Sequence, residues 1–299
     1  MELCIGTVQF GMDYGINGKK KPKFEDSVKC LEYAVENGIR AIDTAAAYGN
    51  AEYIVGGFLR KKTISREKLW ISSKLLPNIL DNYSPKSKCK EVIKSELIKT
   101  LKRLNTNYLD AYYFHSSRYA FDEEMLHALY ELQSEGLTKK VGVSIYEAAE
   151  ADACINSRYV SIIQVPYSVF DHRMKKAGLF DKAIEKDVEV NVRSVFLQGL
   201  VLKDGIEVPG YLHEAKDLTD IFGDLSMECG IDRAVLALAY AKRESAISKI
   251  VFGVHSLEQL QCDLTAFSAI VSEDILMEIE RRFDEVPKQI VIPSLWKKD

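Results

Sequence analysis

The chain has 299 residues, 47% of them hydrophobic, which is enough apolar material for one large domain or two small ones. Forty lysines and arginines against 44 acids leave a net charge of −4, which argues against global attraction to nucleic acid. Six cysteines, at positions 4, 30, 89, 154, 229 and 262, form no C-x-x-C pair and accompany no histidine cluster, so they read as reduced core thiols rather than a zinc site.

In chain order, "MELCIGTVQF" lacks the basic region and long apolar run of a secretory signal, and its "ELCIGT" (2–7) reads as a first strand. "EDSVKCLEYAVENG" is a helix with Val28, Leu31, Ala34 and Val35 on one face and Gly38 as its C-cap. After "IRAID" (39–43), "NAEYIVGGFLRKK" puts Ile54, Val55, Phe58 and Leu59 together, with Asn50 as N-cap. Strands "LWISSK" (69–74) and "YLDAYYFH" (108–115) precede a helix, "DEEMLHALYELQSEG", that aligns Met125, Leu126, Leu129 and Leu132 and ends at Gly136. "KKVGVS" (139–144), "SIIQV" (161–165) and "VEVNVRS" (188–194) follow, then the longest connection, about 195–230, and "KIVFG" (249–253). "SLEQLQCDLTAF" opens with a capping-box pair, Ser256 and Gln259, and a helix at about 273–284 leads into the tail "VPKQIVIPSLWKKD".

Eight strands, several of them apolar nearly throughout, alternate with eight helical patterns. This predicts a single (β/α)₈ TIM barrel over 1–299, with a long loop after strand seven and a C-terminal extra helix and tail. The main alternative is a doubly wound sheet, but no G-x-G-x-x-G follows the first strand. No apolar stretch reaches the roughly 18 residues of a membrane span, so a cytoplasmic protein is expected.

In such a barrel the chemistry gathers where strands end. There stand Asp43 after strand two, Tyr48 in the next loop, Lys74 after strand three and His115 after strand four. Singly, each has an ordinary explanation: a helix cap, packing, a solvated ammonium or a half-buried imidazole. Together they make a proton-transfer set. A tyrosine titrates at about 10, and a neighbouring ammonium lowers that value toward use as a general acid. An aspartate fixes the lysine, and a histidine hydrogen-bonds a substrate oxygen. The set suits protonation of a carbonyl oxygen while a hydride reaches carbon, and the hydride must come from a cofactor, because no side chain donates one. Strand one carries no H-x-H pair, which disfavours a metal hydrolase, and no metal site is expected.

"GIRAIDTAAAYGNAEYIVG" resembles the aldo/keto reductase signature, and the likeness continues through "ISSKL", "YYFH", "VGVS", "IIQVPYS", "VRSVFLQGL" and "VFGVHSLEQLQCDL". The resemblance implies a (β/α)₈ barrel in which Asp43, Tyr48, Lys74 and His115 form the catalytic tetrad. It also implies NADP(H), with NAD(H) open, bound across the strand ends, and a carbonyl substrate that is often sugar-like. On the same basis Gln164 and Ser144 hold the nicotinamide carboxamide, although Ile145 replaces the usual asparagine. Arg193 falls where many members stack a tyrosine; it either stacks on the nicotinamide or binds solvent or substrate. Ser194, Leu197 and Gly199 lie in the pyrophosphate loop. Gly253, Val254, His255, Ser256, Gln259 and Asp263 match the adenosine end, although a plain capped helix also explains Ser256 and Gln259. Residues 253–263 contain no lysine or arginine for a 2′-phosphate. His255, Ser256 and backbone amides remain, which implies a modest NADPH preference that grows as pH falls, unless a cation from elsewhere in the chain completes the site.

"NGKKKPKFE" places Lys19, Lys20, Lys21 and Lys23 after strand one, on the catalytic face. It is either a solvated loop or a patch for an anionic substrate such as a phosphorylated or nucleotide-linked sugar. Lys20, Lys21 and Trp296 of the tail are the candidate substrate contacts. The expected partner is a small-molecule carbonyl compound, with no nucleic acid or membrane, and the chain is expected to be a monomer or weak homo-oligomer. An NADP(H)-binding regulatory barrel, or an epimerase or dehydratase with a retained nicotinamide, stands as the alternative.

Overall fold

The computed structural model describes residues 1–83 and 87–297; the last two residues of the predicted tail lie outside this range. Eight parallel strands close into one barrel in sequence order: β1 (Glu2–Gly6), β2 (Ala41–Asp43), β3 (Trp70–Leu75), β4 (Leu109–Phe114), β5 (Thr138–Ser144), β6 (Ile162–Pro166), β7 (Glu189–Arg193) and β8 (Ile247–Gly253). Closure is direct, with Gly6 in register with Asp43 on one side and with Gly253 on the other. Every predicted strand is present. Strand two is shorter than expected because Ile39 belongs to the preceding helix terminus: its N–H donates to Ala34 O (2.9 Å) while Gly38 N–H donates to Val35 O (3.2 Å). These paired bonds, with Gly38 at φ +92°, form a Schellman closure.

The helices bury the faces their periodicity marks. Val28, Leu31, Ala34 and Val35 are buried on Phe24–Glu36, as are Met125, Leu126, Leu129 and Leu132 on Glu123–Ser134. On Ala51–Arg60, Ile54, Val55 and Phe58 are buried and Leu59 lies at the margin. These faces and the outer faces of the strands make the main core, whereas Cys4, Ala41 and Val251, with Trp70 against them, form a separate small cluster. The connection after β7 is a run of 3₁₀ turns followed by the helix Lys216–Cys229, and the extra helix is Glu273–Arg282. Among the described residues no helix is long and apolar enough to cross a membrane.

Three local expectations are corrected. Asn50 stands at the N-cap of Ala51–Arg60 as expected, but its side chain makes no capping bond; its Oδ1 accepts from Lys21 Nζ instead (3.0 Å). The capping box at Leu257–Ser268 is shifted: Ser256 Oγ accepts from Gln259 N–H (3.2 Å), but Gln259 Oε1 accepts from His255 N–H (2.9 Å), one residue upstream. Cys4, Cys30, Cys89 and Cys154 are core thiols, but Cys229 is half-buried and Cys262 is exposed.

Two glycines fix how the first two loops meet. A Cβ on Gly11 would lie 1.7 Å from the Tyr48 carbonyl oxygen, and one on Gly49, at φ +55°, would lie 2.3 Å from Gly11 O. Gly11→Ala is therefore expected to destabilise the protein by about 1–3 kcal/mol through overpacking, whereas Gly210→Ala, which meets nothing within 4 Å, should be close to neutral. Urea unfolding compares them, and a parent-like midpoint for Gly11→Ala would show that the loops part freely.

Candidate active site

The carboxyl ends of the strands bring Asp43, Lys74 and Gln164 together beneath one cavity. Asp43 ends β2, buried, and accepts three hydrogen bonds: from Lys74 Nζ (2.5 Å), Ser72 Oγ (2.8 Å) and Gln164 Nε2 (2.9 Å). Lys74, fully buried, also donates to Thr44 O (3.1 Å). Two charges in the interior are costly unless paired and hydrogen-bonded, and here both conditions are met.

Tyr48 stands on this pair, its ring centroid 5.2 Å from Lys74 Nζ, and meets the ring of His115 edge-on at 5.6 Å. Burial first, and then the Asp43 charge, push the Tyr48 phenol well above its ordinary value; Arg193 pulls the other way. This corrects the expected role of Lys74. Its ammonium is paired with Asp43, so the field at the phenol is not that of a lone cation and the phenol is kept protonated. Burial, followed by Lys74 and Arg193, pushes His115 down to about 3. Its imidazole is neutral at ordinary pH, with Nδ1 unpartnered.

The cavity above measures about 570 Å³. Eleven buried side-chain polar atoms of the described residues lack a partner, and five of them belong to residues lining it: Gln9 Oε1, His115 Nδ1, Gln164 Oε1, Gln198 Oε1 and His255 Nδ1. Buried polar atoms are normally satisfied, so this concentration marks a site built to receive a polar ligand. Arg193 lines it too. Its guanidinium lies 4.3 Å from the Tyr146 ring and donates to Ile145 O (2.9 Å) and Ser194 Oγ (3.2 Å). Past β7 the backbone turns left-handed at Ser194, Leu197, Gln198 and Gly199, three of them side chains that resist this conformation. Ile16 N–H donates to Gln198 O (3.2 Å), which ties the first loop to the seventh.

Of the residues expected here, Asp43, Tyr48, His115, Ser144, Gln164, Arg193, Ser194, Leu197, Gly199, Gly253, His255 and Gln259 line the cavity, with Lys74 below it. Val254 and Asp263 are buried outside the lining, and Ser256 caps its helix. Asp263 is pushed up to about 7 by burial and then by Asp232. The three substrate calls are corrected. Lys20 is exposed and outside the cavity lining; Lys21 Nζ is taken by Asn50 Oδ1 and Gly11 O; Trp296 is buried, and its Nε1–H donates to Ile290 O (3.0 Å). Lys19 lines the cavity instead. His255 is held below its ordinary value, first by burial and then by Lys19, which disfavours the charged form expected to meet a 2′-phosphate. Gln9, Tyr14 and Tyr146 also line the cavity and lie outside the sequence-predicted set; Gln9 and Tyr146 stand within three residues of the ends of β1 and β5.

The aldo/keto reductase family model matches residues 2–281. The chain belongs to the aldo/keto reductase family. This oxidoreductase is 28% identical to Protein tas of Escherichia coli (strain K12), over 93% of this chain and 92% of that protein. It is 27% identical to the NADH-specific methylglyoxal reductase of the same organism, over 91% of each chain. The holo form of aldo-keto reductase AKR11C1 from Bacillus halodurans shares its fold, with a TM-score of 0.73 at 22% identity over 94% of this chain and 91% of that one.

Neutral His115 has a consequence for stability. Its folded value lies below the unfolded value of about 6.5, so the unfolded chain binds a proton that the folded chain refuses, and stability falls as pH drops below 6.5. Between pH 7 and pH 5 the parent should lose about 1–2 kcal/mol more than His115→Asn, read by urea unfolding at both pH values. Equal losses would place the imidazole in contact with water.

Proposed function

We propose that the enzyme reduces a small carbonyl compound of sugar-like polarity, with NADPH or NADH as hydride source and Tyr48 as proton donor. The observation that carries this reading is the protonated Tyr48 phenol set edge-on to a neutral His115, above the buried Asp43–Lys74 pair and beneath a cavity rich in unpartnered acceptors.

A bound nicotinamide supplies the hydride. The cavity suits such a group. Gln164 Oε1, free while its Nε2 donates to Asp43, would accept from the carboxamide, with Ser144 also in the lining. Arg193, already stacked on Tyr146, offers a flat cation to the ring. Ser194, Leu197 and Gly199, which line the cavity past β7, would hold the pyrophosphate, and Gly253, His255 and Gln259 would hold the adenosine end. Val254 and Asp263, buried outside the lining, and Ser256, which caps its helix, would act on that end only indirectly.

The substrate oxygen sits between Tyr48 and His115. Neutral His115 donates one N–H, which orients the carbonyl without a charge. Tyr48 passes its proton to the oxygen as negative charge develops there, so the phenol is worth most in the transition state. Burial excludes water, and the Asp43–Lys74 pair holds the floor of the site rigid. Among the described residues Asp43 is the one carboxylate lining the cavity, whereas Lys19, Arg193 and Lys203 all line it, and this balance favours an anionic cofactor and accommodates an anionic substrate. The NADH-specific methylglyoxal reductase among the relatives supports a small carbonyl substrate and leaves both nicotinamides open.

The test is a panel of sugar aldehydes, ketoses, nucleotide ketosugars and small dicarbonyls with each reduced nicotinamide, followed by absorbance. On the best substrate, Tyr48→Phe should lower kcat by about 10²–10⁴-fold with cofactor affinity unchanged. A variant that keeps near-parent kcat would remove Tyr48 from proton transfer.

A further inference from the structure

The strand-eight end of the cavity, lined by Gly253, His255 and Gln259, has no cation of its own. Residues 253–263 contain no lysine or arginine, and burial followed by the Lys19 charge holds His255 below its ordinary value. A cation reaches this end from another loop. Residues 13–21 form a hairpin after β1: Tyr14 N–H donates to Lys19 O (3.1 Å), Gly18 N–H to Gly15 O (3.2 Å), and Lys21 N–H to Asp13 Oδ1 (3.0 Å). Gly15 at φ +98° and Gly18 at φ +57° make the turn. The Ile16–Gln198 bond pins the hairpin to the seventh loop, and Tyr211 Oη–H adds a second bond to Ile16 O (2.7 Å). Lys19 is thereby set on the cavity wall that His255 and Gln259 share, close enough for its charge to act on the His255 ring.

The other lining cations are committed elsewhere. Arg193 is held by Ile145 O, Ser194 and the Tyr146 ring, and Lys203 is paired with Glu207 at 2.6 Å. Lys19 is exposed, and its side chain makes no hydrogen bond or ion pair among the described residues. We propose that Lys19 receives the 2′-phosphate of NADPH, replacing from the first loop the cation missing beside strand eight, and so sets the cofactor preference of this enzyme. The proposal rests on the nicotinamide reading of the cavity. It makes the preference a property of a hairpin that is distant in sequence from the rest of the adenosine subsite.

The experiment is direct binding of NADPH and NADH, by quenching of protein fluorescence, to the parent, Lys19→Met and Lys20→Met. One charge-assisted contact predicts roughly tenfold tighter binding of NADPH than of NADH by the parent at low salt. Lys19→Met should remove that margin by weakening NADPH roughly tenfold, with NADH within about twofold. Lys20→Met, with the same charge change one residue along, should leave both unchanged. Adenosine 2′,5′-bisphosphate should lose affinity in Lys19→Met while ADP does not. Equal weakening of both dinucleotides would place Lys19 on the shared pyrophosphate, and unchanged binding would leave it solvated; either overturns the proposal while leaving the cofactor reading intact. Failure of the parent to bind either nucleotide would overturn both.

Discussion

Everything at the mouth of this barrel depends on burying one carboxylate against one ammonium. Asp43 and Lys74 are almost wholly out of water, where an unpaired charge would cost several kcal/mol. The cost is offset by satisfying the carboxylate with Lys74, Ser72 and Gln164, and the ammonium with Asp43 and Thr44 O. Two of the donors, Ser72 and Lys74, come from strand three and the third, Gln164, from strand six, so the pair forms only when strands two, three and six are in register. The two charges then act in opposite senses on their neighbours. Asp43 raises the Tyr48 phenol and Lys74 lowers the His115 imidazole, each adding to the effect of burial. A protonated phenol and a neutral imidazole in edge-on contact are the result, both lining the cavity.

The loops that carry this chemistry are held by backbone rather than by side-chain packing alone. Gly11 and Gly49 let the first and second loops touch main chain to main chain, and Lys21 bridges them through Gly11 O and Asn50. The seventh loop stores left-handed geometry at Ser194, Leu197 and Gln198 and is tied back through Ile16. Strain of this kind persists only where surrounding contacts over-determine it. Here those contacts also wall the cavity.

Much of this was legible in the sequence. Period and punctuation gave all eight strands, because a barrel strand must be apolar on both faces and stop at a polar residue. Asp43, Tyr48, Lys74 and His115 were visible as interruptions at strand ends. What stayed hidden was competition between partners. Asn50 reads as a cap until Lys21, 29 residues away, claims its oxygen. Among three consecutive lysines, only the fold of the Tyr14–Lys19 hairpin decides which one meets the cavity. Trp296 reads as a free aromatic until its indole N–H finds Ile290 O. His255 and Tyr48 carry ordinary proton affinities on paper, and burial, which no local pattern reveals, moves both.

The central claim is that Asp43 and Lys74 act as one buried unit. A double-mutant cycle with Asp43→Asn, Lys74→Met and the pair, read by urea unfolding, tests it most directly. Each single variant leaves its partner uncompensated and should cost about 3–5 kcal/mol, whereas the double variant should recover a large part of that loss while remaining impaired in carbonyl reduction. Strictly additive losses in the double variant would contradict the account, because they would mean that the two charges are satisfied independently.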